Sequence, residues 1–144
     1  MLQQASEAPM FVPPALFLPL QDPASGMTRV NPAQQPEAVV QRHVEAYNAQ
    51  DMNTLMATLG LDVVFGVFPG KVMVKGKADC ATALRQSFTT APSQRMEVTE
   101  RMVAGSKVID HLWIKGRPDG RVTRGVQIYE VQGGVITAIW FLAD

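Results

Sequence analysis

An α+β fold, in which three helices pack against a cone-shaped, curved and mostly antiparallel sheet around a pocket, is predicted by three observations. Apolar residues recur at helical spacing after Pro36, β-branched and aromatic runs dominate the C-terminal part, and Gly-rich turns separate those runs. The 144 residues suffice for one domain with a substantial core. A composition of 47% hydrophobic and 18% charged residues is that of an ordinary globular protein.

Each element follows from local chemistry. Pro36 suits the first position of a helix, and Val39, Val40, His43, Val44 and Tyr47 follow at helical spacing to residue 49. Asp51 can cap a second, short helix with Leu55, Met56 and Leu59 on its buried face and Gly60 as its stop. The run at 63–68, a Pro69-Gly70 turn and residues 71–75 read as a hairpin. Ala81, Leu84, Arg85 and Phe88 place a third helix over 78–90, ending before Pro92. Strands are expected at 94–103, 107–115, 122–131 and 135–142, with turns at Pro118-Asp119-Gly120 and Gly133-Gly134.

Residues 1–35 are expected to form a Pro-rich arm and residues 36–144 the domain. Proline at the density found before residue 37 blocks helix and sheet interiors alike. The apolar stretch at 10–20 lacks a preceding Lys or Arg, and its prolines would break a signal helix. Met27 offers a second start, so residues 1–26 read either as a mis-called leader or as an arm that packs over the domain or a partner, whose Phe11, Leu16, Phe17 and Leu18 need apolar cover.

Composition excludes several function classes. Lys and Arg (13) balance Asp and Glu (13), which gives no electrostatic footprint for nucleic acid or an anionic membrane. No apolar run approaches the length of a membrane span. One cysteine, Cys80, allows no internal disulfide and fits a reducing cytoplasm. It reads as a small buried hydrophobe rather than a nucleophile. Two histidines leave little from which to build a metal site, so neither metal nor cofactor is expected. Nucleotide-binding loops, a nucleophile elbow and HExxH are absent.

The run from Val39 through Arg42-His43-Val44-Glu45-Ala46-Tyr47 to Asp51 resembles the first helix of the nuclear-transport-factor-2-like superfamily, in its SnoaL-like and ketosteroid-isomerase-like branches. The segments 116–121, 125–131 and 133–137 resemble its last three strands. The resemblance spans residues 36–142 and implies an apolar pocket between helix and sheet, with homodimers formed through the outer sheet face. It carries no function by itself, because this fold hosts isomerases, dehydratases, cyclases, epoxide hydrolases and binding modules. Aligned by the first helix, His43 stands at the isomerase tyrosine, Val67 at its base and Gln127 at its second aspartate. Valine accepts no proton, so the steroid-isomerase mechanism does not carry over unchanged. The epoxide-hydrolase set of two aspartates and an arginine is also missing: Asp110, Leu112 and Phe141 occupy its positions.

Both alignments put Asp110 on the pocket face and send His111 and Trp113 to the other. Asp110 and His43 are therefore the candidate catalytic pair, since an imidazole titrates near neutrality and can exchange a proton with a carboxylate. Tyr47 lies one turn from His43, and Gln127 and Tyr129 alternate on one strand face; these three are candidate hydrogen-bonding groups. Phe65, Val67, Ile139 and Phe141 are candidate pocket walls. The plainer alternatives stand beside these roles: His43 and Tyr47 as packing residues, and Asp110 in a structural pair with an arginine such as Arg124. Trp113 and Trp140 are expected outside, at a dimer interface. The expected function is a pocket protein for a mostly apolar cyclic molecule. It is either a cofactor-independent isomerase, dehydratase, cyclase or hydrolase working by proton transfer, or a non-catalytic binding or dimerisation module.

Overall fold

Pro36 opens helix α1 (Pro36–Ala49), where its missing N–H costs nothing, and Gln50 closes it in the left-handed region at φ 54°. This computed structural model describes residues 31–144; the expected arm lies, through residue 30, outside the described residues. A 3₁₀ turn over Pro32–Gln34 precedes α1. Helix α2 (Met52–Ala57) is capped by Asp51, whose carboxylate accepts from the Thr54 amide at 3.2 Å and the Thr54 hydroxyl at 2.6 Å. Strands β1 (Leu59–Val67) and β2 (Lys71–Lys75) form the hairpin, and helix α3 (Lys77–Thr90) follows. The chain ends in β3 (Arg95–Ala104), β4 (Lys107–Lys115), β5 (Thr123–Gln132) and β6 (Val135–Ala143).

The second helix is shorter than the sequence suggests. Thr58 ends it, and Leu59 and Gly60 begin β1 instead of finishing the helix. The cause is tertiary: the Thr58 carbonyl accepts from the Ile136 amide at 2.8 Å, which draws the chain into the sheet before the helical pattern ends.

The six strands of the described residues lie in the order β2-β1-β6-β5-β4-β3. All neighbours are antiparallel except β1 and β6, which run parallel. One sheet face carries Val108, Asp110, Leu112, Gly125, Gln127, Tyr129 and Ile139, all buried under the helices. Val39, Val40, Val44, Leu55, Val63, Phe88 and Met96 join them in the core. Cys80 is buried there too, and burial raises its thiol pKa. Asn48 ties α1 to the sheet edge by using its amide as a strand surrogate. Its Nδ2 donates to the Met96 carbonyl at 2.9 Å and its Oδ1 accepts from the Met96 amide at 2.7 Å.

Candidate functional site

Helix α1 turns His43 inward because Val39, Val40, Val44 and Tyr47 bury the same side. The ring is 5% exposed, and burial pushes its pKa down to about 4, so it is neutral at ordinary pH. His43 Nδ1 lies 2.9 Å from the Thr58 hydroxyl, which in turn donates to the Leu55 carbonyl at 2.7 Å. The far nitrogen, Nε2, makes no hydrogen bond to a described residue. The imidazole meets the ring of Tyr129 edge to face, with centroids 5.8 Å apart.

Opposite it, β4 and β5 supply the polar part of the sheet. Asp110 and Gln127 are register partners across the two strands. Asp110 is fully buried, and both its oxygens accept from Arg101, at 2.6 Å from Nε and 2.8 Å from Nη2. That carboxylate raises the Arg101 pKa further. Arg101 also donates to Gln41 on α1 at 2.8 Å, and Gln41 donates to Glu45 at 2.8 Å. The Tyr129 hydroxyl donates to Gln127 Oε1. Burial raises the Tyr129 pKa well above the ordinary phenol value, with the Asp110 charge adding to it. The amide NH2 of Gln127, a residue 8% exposed, has no partner among the described residues.

His43, Gln127, Tyr129 and Asp110 are thus brought together, each at least nine-tenths buried. Tyr47 is not among them. Its hydroxyl accepts from Gln94 Nε2 at 2.6 Å and its ring packs on Phe88, on the α3 side of the helix. Burial raises its pKa. Ile139 is buried and Phe65 and Phe141 pack half-buried against the core, whereas Val67 is 40% exposed at the end of β1. Arg124 does not pair with Asp110: it lies on the opposite sheet face, near Asp144 and over the ring of Trp113.

Arg101 and Thr58 escape a reading by periodicity. Val98 faces Leu112 but Glu100 faces His111, so Thr99 is an extra residue on β3. This β-bulge reverses the alternation, and Arg101 joins Met96 and Val98 on the inner face beside Asp110. Strict period two from Met96 would have turned it outward. Thr58 sits at the helix-to-strand junction, where neither period applies. An isolated buried carboxylate on β4 is the one signal in the sequence that an inward cation was required.

Two open grooves are lined by described residues. One, about 650 Å³, runs between α3 and the β4–β5 loop past Ser87, Gln94 and Arg117. The other, about 460 Å³, lies between α1 and β3 over Gln41, Glu45 and Arg101. Neither is lined by His43 or Gln127. Among the described residues no group of three or more His, Cys, Asp or Glu side chains is placed to hold a metal ion. No described helix is long and apolar enough to cross a membrane.

A sequence profile of the SnoaL-like domain matches residues 40–139. The chain belongs to the SnoaL-like family. Solved structures share the SnoaL-like fold at low sequence identity. A cystatin-fold protein from Novosphingobium aromaticivorans superposes with a TM-score of 0.69 at 21% identity, covering 74% of this chain and 97% of its own. An NTF2-like protein from Cytophaga hutchinsonii gives 0.64 at 16%, covering 76% and 89%. An LEH-like epoxide hydrolase of Mycobacterium tuberculosis gives 0.67 at 20%, covering 76% and 83%. No curated protein matches the chain. The cone-shaped α+β architecture of the SnoaL-like domain is therefore shared, and its chemistry has to be read from its own side chains.

Proposed function

We propose that the SnoaL-like domain binds an uncharged, mostly apolar cyclic molecule between α1 and the inner face of β4–β6, and moves a proton on it without a resident cofactor. The observation that carries this is a pair of buried hydrogen-bonding groups without a partner among the described residues, His43 Nε2 and the Gln127 NH2, flanked by the apolar side chains of the core. Buried polar groups are nearly always satisfied, and a few convergent ones among apolar walls are what a ligand site provides. A neutral imidazole is a competent proton acceptor, and an amide N–H beside it can hold the oxygen on which charge develops. Asp110 has both oxygens committed to Arg101, so it supports this arrangement by fixing charge and geometry rather than by accepting the proton itself. The substrate class fits isomerisation, dehydration, cyclisation or water addition.

The test is a stability screen of the purified protein against cyclic enones, phenols and epoxides, with Gln127→Leu in parallel. A ligand at a hundred times its Kd should add about 2.7 kcal/mol. Losing one hydrogen bond to a buried donor should weaken binding by roughly tenfold in the variant. Equal stabilisation of both proteins by every hit would overturn the assignment of Gln127.

A second reading, a dimerisation module, is favoured by the other sheet face. There Ile109, Val126, Ile128 and Trp140 form a half-buried apolar patch flanked by Met102 and Leu142, which are 61% and 43% exposed. Such a patch of aliphatic, Met and Trp side chains suits a second copy of the chain.

A further inference from the structure

We infer that Thr58 is a positioning residue that fixes His43 as the Nδ1–H tautomer, so that Nε2 accepts a hydrogen bond and the site selects ligands presenting a hydroxyl or enol donor to it. This rests on the pocket assigned under Proposed function and deepens it.

The argument is a count of hydrogens. A threonine hydroxyl has one, and Thr58 Oγ1 lies 2.7 Å from the Leu55 carbonyl, a group that can only accept. Thr58 and Leu55 are 2% and 0% exposed, which excludes bulk water as an alternative partner. With its hydrogen directed to Leu55, the Thr58 oxygen faces His43 with lone pairs only. At 2.9 Å, a bare Nδ1 would set lone pair against lone pair inside the core, so Nδ1 carries the hydrogen. Because burial keeps the ring neutral to about pH 4, the second nitrogen is then unprotonated. The edge-to-face contact with Tyr129 holds the ring plane.

Gln127 completes the pattern. Its Oε1 is taken by the Tyr129 hydroxyl, so it offers N–H. The site thus presents one acceptor and one donor, the complement of a hydroxyl or enol with a second oxygen nearby. An ether or a simple ketone gives His43 Nε2 nothing and leaves a buried acceptor unpaired, a mismatch of roughly 10- to 100-fold in affinity.

The experiment is long-range 1H–15N correlation of the histidine ring nitrogens at neutral pH in the wild type, Thr58→Val and Thr58→Ser. It is combined with titration of 2-naphthol against 2-methoxynaphthalene, which has the same rings without the donor. The wild type and Thr58→Ser should show protonated Nδ1 and bare Nε2 at His43, and should prefer naphthol by about tenfold or more. In Thr58→Val the tautomer pattern should shift and the preference should collapse. A wild type with protonated Nε2, or a Thr58→Val protein that keeps both the wild-type pattern and the preference, overturns the inference. If neither naphthalene binds while Nδ1 is protonated as stated, the tautomer assignment is upheld and the pocket reading fails. Naphthol binding with protonated Nε2 does the reverse.

Discussion

At His43, burial makes stability depend on pH. The ring titrates near 6.5 in the unfolded chain and about 4 in the native one. Between these values the unfolded state binds a proton that the native state does not. The stabilisation is therefore complete above pH 6.5 and is lost as pH falls toward 4, in total about 3 kcal/mol. Urea unfolding at pH 7 and pH 4.5 should show most of that loss in the wild type and its absence in His43→Phe, since shared carboxylate titrations cancel in the comparison. Parallel pH dependence of the two proteins would contradict the burial of a neutral imidazole. Asp110 and Arg101 make a second expectation at this scale. Arg101→Met strands a buried carboxylate beside Tyr129 and should cost about 3–5 kcal/mol, whereas the double variant with Asp110→Leu should recover most of it. Chemical denaturation of the three proteins decides this; equal losses in the single and double variants would mean that the charge is not the issue. Of the candidate site residues, Asp110, His43 and Gln127 are legible in the sequence because each is polar at an inward position of a regular element. Arg101 and Thr58 are not, because they act from a bulge and a junction.

The elements themselves read well wherever one period holds over several turns or pleats. Helix α1 starts at Pro36 and ends at residue 49 as its apolar spacing requires, and β4 occupies its expected residues. Reading fails where two periods meet. Leu59 continues the helical stripe of Leu55 in sequence but is pulled into β1 by the bond between Thr58 and Ile136. The bulge at Thr99 is the other failure and carries its own prediction. Deleting Thr99 joins Val98 to Glu100 and restores one-to-one pairing with β4 while leaving Arg101 opposite Asp110. The deletion should therefore be tolerated, costing less than Arg101→Met when the two are unfolded side by side. A deletion as damaging as the loss of the arginine would show that the bulge has a further structural duty. Gly66 shows a different constraint: a Cβ there would lie 2.4 Å from the Lys71 carbonyl and 2.6 Å from the Trp140 ring, so only glycine leaves room for the indole against β1.

On the scale of the whole molecule, the two faces of the sheet differ in their chemistry. The inner face holds the buried polar groups under the helices, and the outer face carries the apolar patch around Ile128 and Trp140. Trp140 is oriented by its indole N–H, which donates to Glu130 at 3.1 Å. If a second copy covers that face, Ile128→Lys should halve the mass seen in sedimentation at micromolar concentration while leaving the circular dichroism unchanged. A monomeric wild type would remove the dimer reading. The inner face bears the central claim, that an apolar cyclic molecule is held by His43 and Gln127. The most direct measurement is an NMR titration with a hit from the stability screen, following the Gln127 side-chain NH2 and the His43 ring nitrogens together. Both sets of resonances should move in step along one binding curve with a common Kd. Binding that shifts only the groove residues Gln86 and Gln94, with His43 and Gln127 unmoved, would contradict it.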